Sequence, residues 1–150
     1  MKRYFGSLLL RLIRGGVVLS NGEHLIVSSM VGELPDHLRS TVESQFSEYN
    51  VAQREADGRA LNFYKMNLLS AEPLPLQVML QSDKEASLIR VSVSTSGEAE
   101  PLHATLNAVA GRVFCASFSR PVPETQEESQ LKIIKVTHAW RSEFAARNDA

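Results

Sequence analysis

The chain has 150 residues, 43% of them apolar and 22% charged, with a formal net charge of -1. That length and balance fit one globular domain with its own core and exclude the low hydrophobicity of a disordered chain. Near-neutral charge gives no global basis for nucleic-acid binding, so no such partner is expected.

In chain order, Phe5, Leu8, Leu9, Leu12 and Ile13 fall at i, i+3, i+4, i+7 and i+8, one face of a helix. Lys2, Arg3, Arg11 and Arg14 give this stretch four positive charges, and Gly15-Gly16 can end it. Residues 1–16 therefore predict an amphipathic N-terminal helix. It starts like a signal peptide, but Arg11 and Arg14 interrupt the apolar run. No apolar run approaches the roughly 20 residues that spanning a bilayer needs. Two readings stay open for this helix. It packs on its own domain, or it docks on an anionic membrane or a partner groove.

Asn21-Gly22 between apolar runs predicts a hairpin, with strands near Val17–Ser20 and Glu23–Met30. Leu38, Val42, Phe46 and Tyr49 return to helical spacing, predicting a helix from Pro35 to about Tyr49. Asp57-Gly58 marks a second hairpin turn. Pro73 and Pro75 break the pattern, and Leu76–Leu80 reads as a short edge strand.

From Ser87 to Thr95, Ile89, Val91, Val93 and Thr95 share one face, and Arg90, Ser92 and Ser94 the other. That is a half-buried strand, broken at Gly97. Pro101 opens a predicted helix with Leu102, Leu106, Val109 and Ala110 as its stripe and Gly111 at its end. Val113–Phe118 reads as a strand with Phe114, Ala116 and Phe118 on one side. After a polar, Pro-rich loop, Ile134, Val136, His138 and Trp140 alternate against Ile133, Lys135 and Thr137 in a last strand. Residues 141–150 read as a flexible polar tail. The predicted class is α+β: a single domain with an antiparallel sheet and helices on one face. Its closing strand–helix–strand–strand unit would form a ferredoxin-like half at the C-terminus. Val91, Val93, Leu106 and Ile134 are predicted core residues.

Chemistry is sparse. His24, His37, His103 and His138 have no metal-ligand spacing to one another or to Cys115, and no metal or cofactor is expected. A lone cysteine closes no internal disulfide and leaves the compartment open. In the setting "VFCASF", Cys115 reads as a buried structural thiol. His138, beside Trp140, could serve as a polar handle at an interface. The scattered glycines make no phosphate loop, and Glu124, Glu127 and Glu128 lack calcium-loop spacing.

The stretch "IRVSVSTSGEAEPLHATLNAVAGRVFCASFS", a Pro-rich gap and "LKIIKVTHAWR" resemble the C-terminal half of PilO-like pilus-assembly proteins and the M component of type II secretion platforms. The matching positions are Ile89–Thr95, Gly97, Leu102, Leu106, Arg112–Val113 and Val136–Trp140. The resemblance implies a bacterial, non-enzymatic scaffold that dimerises through its sheet or helices, in the periplasm. Without it, the expected location is cytoplasmic or peripheral to a membrane. The sequence thus points to an interaction or assembly module, a homodimer or a partner of another protein. Its interface candidates are Phe5, Leu8, Leu9, Leu12, Ile13, Phe118, His138 and Trp140. The alternative is a small-ligand-binding domain, or an enzyme with a dispersed site that uses His138 or Cys115.

Overall fold

The computed structural model describes residues 16–66, 85–124 and 130–139. Within them, helices α1 (Asn21–Gly32) and α2 (Asp36–Glu48) precede six strands. These are β1 (Val51–Arg54), β2 (Ala60–Tyr64), β3 (Glu85–Thr95), β4 (Leu102–Val109), β5 (Arg112–Phe118) and β6 (Leu131–Thr137). The strands form one sheet in the order β1-β2-β5-β4-β3-β6, antiparallel at every pairing. The helices cover one face, α1 against β3 and β4 and α2 against β5. The fold is α+β, with an antiparallel sheet.

Several predicted elements hold. The helix expected from Pro35 spans Asp36–Glu48 and buries Leu38, Val42 and Phe46. The hairpin expected at Asp57-Gly58 joins β1 to β2, with Gly58 at a φ of +70° that its missing Cβ permits. The strand expected over Ser87–Thr95 is β3, a central strand paired on both sides. The segment Leu76–Leu80 and the tail from Arg141 lie outside the described residues.

Two elements are corrected. Asn21-Gly22 opens helix α1 rather than turning a hairpin. Ser20 caps it: its Oγ accepts from the Glu23 N–H at 3.2 Å, and Glu23 Oε2 accepts from the Ser20 N–H at 2.7 Å. This reciprocal pair satisfies two otherwise orphaned donors, an arrangement a hairpin turn does not offer. Ile26, Val27, Met30, Val31 and Leu34 then bury at helical spacing.

The helix expected after Pro101 is strand β4. Leu102, Ala104, Leu106 and Ala108 are all buried, while His103, Thr105, Asn107 and Val109 point the other way. Leucines four apart satisfy a two-residue period as well as a helical one. The Ala110-Gly111 turn decides the matter. Both residues have positive φ (49° and 72°), as a two-residue hairpin with the strands' own twist requires. The C-terminal half is accordingly a β3-β4-β5 meander flanked by β6, without the strand–helix–strand–strand unit of a ferredoxin-like half.

Three bulges shift faces within strands, the first leaving Leu88 over in β3, where Leu88 and Ile89 are both buried. Between β4 and β5, Cys115 opposes Asn107 and Val113 opposes Ala108, leaving Phe114 over. So Val113, not Phe114, joins Ala116 and Phe118 in the core. Between β3 and β6, Lys135 opposes Ser92 and Ile133 opposes Val93, leaving Ile134 over and 55% exposed. Ile134 is therefore not a core residue, whereas Val91, Val93 and Leu106 are.

Polar ties lock the layers. Buried Gln45 donates to the Gly111 carbonyl at 3.1 Å and accepts from the Val113 N–H at 2.9 Å, joining α2 to the β4–β5 turn. The Tyr49 hydroxyl donates to the Val113 carbonyl. The Tyr49 ring packs with those of Phe46 and Phe63. Arg54 of β1 reaches the buried Glu23 carboxylate at 2.6 Å, tying the sheet edge to the cap of α1.

Candidate functional site

The interface candidates of the sequence do not converge in the described structure. Phe5, Leu8, Leu9, Leu12, Ile13 and Trp140 lie outside the described residues. Phe118 is a core residue on the helix-covered face, opposite Ala104, and so is not available as an interface residue. His138 follows β6 and is half-buried, with an Nδ1 that is buried and unpartnered.

Cys115 and His138 do not form a common site either. Cys115 is on β5, and β4 and β3 stand between β5 and β6. Three strand spacings of about 4.8 Å separate the two elements by roughly 14 Å. Burial pushes the Cys115 thiol up to about 11, with Glu55 and Glu85 adding to the shift. It is therefore a neutral thiol at physiological pH, which is poor preparation for a nucleophile. Among the described residues no cluster of three or more His, Cys, Asp or Glu side chains could hold a metal ion. No helix among them is long and apolar enough to cross a membrane.

Two other features emerge, one on each face. On the helix side, an open cleft of about 180 Å³ lies between α1 and the sheet margin. Leu25, Ile26 and Ser29 of α1 line it together with Val93, Leu131 and Ile133. Leu25, Leu131 and Ile133 are half-buried, and the bulged Ile134 stands out beside them. Lys132 and Lys135 are exposed and lie opposite Ser94 and Ser92 on the helix-free face.

The helix-free face is polar. Across it Ser87 bonds Asn107 at 3.1 Å, Asn107 bonds Ser117 at 3.2 Å, and the Arg90 Nε donates to Thr105 Oγ1 at 3.2 Å. Ser92 Oγ lies 2.9 Å from His103 Nδ1. A hydroxyl within reach of an imidazole has the geometry of a nucleophile and its base. Here, however, β3 is paired on both sides, so the backbone N–H groups around Ser92 belong to the ladders rather than to an oxyanion hole.

The sequence carried a faint signal for this face in the alternation of Arg90, Ser92 and Ser94. Reading residues 102–109 as a helix separated His103 from it. The bulge that exposes Ile134 had no signal at all.

No family model matches the chain, and neither a curated protein nor a solved structure matches it. The helix that helped carry the resemblance to PilO-like proteins, with Leu102 and Leu106 on its stripe, is strand β4.

Proposed function

We propose that the chain is a protein-interaction module that binds through the α1/β6 margin, without catalysis. The observation that supports this best is the open cleft lined by Leu25, Ile26, Val93, Leu131 and Ile133, with the exposed Ile134 next to Ile133 in the chain. Single exposed apolar side chains are ordinary on protein surfaces, whereas one that extends an apolar cleft is a docking feature.

The margin also constrains the partner. Lysines and a bulge on an end strand are the devices that discourage strand addition, so pairing by a further strand is disfavoured. An amphipathic helix is the better occupant, with one large apolar side chain in the cleft. A cavity of about 150 Å³ takes a benzene-sized group, so the cleft matches one such side chain.

Selection of displayed helical peptides against the full chain tests this reading. Enriched sequences should carry an apolar stripe, and Ile134→Glu should weaken them about tenfold or more. Because Ile134 is exposed, the variant should keep its fold, verified by an unchanged Tm. No enrichment over an unrelated protein, or equal binding to the variant, overturns the proposal. So does a dimer in light scattering that Ile134→Glu disperses, which would give the margin to a second copy.

A further inference from the structure

The charged groups of the two faces are used differently. Arg39, Arg54, Lys65 and Arg120 each meet a carboxylate: Asp36, Glu23, Glu48 and Glu98. Arg90 and Lys135 form no ion pair among the described residues. Both belong to the helix-free face, and the register gathers them around one hydroxyl. Ser92 is opposed by His103 on β4 and by Lys135 on β6. Directly opposed residues of antiparallel strands share a face with Cβ atoms about 4.5–5.5 Å apart. Arg90 lies two residues earlier on the same face of β3, opposite Thr105.

The donors are also held in place. His103 Nδ1 is bonded to Ser92 Oγ, and the Arg90 Nε bond to Thr105 fixes the guanidinium toward β4 while leaving its terminal nitrogens available. Ser92 is 9% exposed at the floor of the group, whereas Arg90, His103 and Lys135 are exposed around it. The remaining polar chemistry of this face differs: Glu55 and Glu85 act on Cys115, away from the cationic cluster.

We propose that Ser92, His103, Lys135 and Arg90 form a binding site for a phosphate group. With the His103 Nδ1–H donating to Ser92 Oγ, the Ser92 hydroxyl is a donor for the anion at the floor, while Lys135 supplies a mobile ammonium on one side and Arg90 a planar fork on the other. The assignment is independent of the docking margin, which lies on the opposite side of the sheet.

Two probes separate the sources of such a group: inorganic phosphate, and O-phosphoserine as a stand-in for a phosphorylated protein segment. Each is titrated into the full chain, with amide shifts followed by NMR and sodium chloride at matched ionic strength as the reference. Saturable shifts centred on Arg90, Ser92, His103 and Lys135 are expected. Lys135→Met and Arg90→Gln should each weaken binding about tenfold, the loss typical of a charged hydrogen-bond donor. Lys65→Gln, which removes the same charge at an existing ion pair, should change it little. Tighter binding of O-phosphoserine assigns the site to a protein-borne phosphate, and equal binding to the free anion. Shifts that follow ionic strength as chloride does, or equal binding by Lys135→Met and Arg90→Gln with native amide dispersion, overturn the proposal. Ile134→Ala, which adds no charge beside Lys135, should retain phosphate binding, so failure of the docking margin would not be mistaken for failure of this site.

Discussion

Gln45 shows how much one buried amide can specify. It is fully buried in an apolar layer, yet both ends of its side chain are used, on Gly111 and Val113. Those partners sit around Ala110, a non-glycine residue with a φ of 49°. The left-handed conformation costs an L-residue about 1–2 kcal/mol, so the turn needs outside support. Gln45 provides it from α2. Gln45→Leu keeps the volume but strands a buried carbonyl and a buried N–H. At about 1–3 kcal/mol per unsatisfied group, we predict a loss of roughly 2–4 kcal/mol in urea unfolding. A loss under about 0.5 kcal/mol would mean that the turn satisfies itself. Substituting Ala110 with Gly in the same background should recover part of the deficit, because glycine relieves the turn.

At the level of elements, the contest at Ser20–Glu23 explains where sequence reading succeeded and failed. The capping signature Ser-x-x-Glu and the hairpin signature Asn-Gly overlap within four residues. Only the Asn-Gly hairpin is read from the sequence, and tertiary context selects the cap. Glu23 is stabilised by Arg54 from β1, a residue 31 positions away that no local pattern reports. Residues 102–109 failed for a related reason. Their leucine spacing fits both periods, and only pairing with β3 and β5 selects the strand. By contrast, α2, the Asp57-Gly58 hairpin and β3 carry unambiguous local signals and were legible. The cap makes a quantitative claim. Ser20→Ala should cost about 1 kcal/mol in equilibrium unfolding, the usual value of an N-cap. Glu23→Gln should cost more, since it leaves the Arg54 guanidinium without its charge partner as well as weakening the cap. If the two substitutions cost the same, the ion pair adds nothing to the cap.

For the molecule as a whole, the same sheet separates stability from recognition by face and by margin. The helix-covered face carries the core, with Leu61, Ala116, Leu106 and Ile89 aligned across four strands and all buried. The bulge at Ile134 then turns an apolar residue of the end strand away from that core. Two substitutions of similar chemistry should therefore behave very differently. Leu106→Ala removes atoms from a fully buried site and should cost about 2–5 kcal/mol, according to how far the cavity collapses. Ile134→Ala removes a side chain already 55% exposed and should stay within about 0.5 kcal/mol, as surface substitutions do. Both are read from urea midpoints at constant slope. A large loss at Ile134 would show that the margin is part of the core, and the case for it as a docking surface would fall. A small loss at Leu106 would place the β4 side chains on the wrong face. If Ile134→Ala instead leaves the fold intact and reduces binding of the selected helical peptides, the margin does its work in the complex rather than in the free chain.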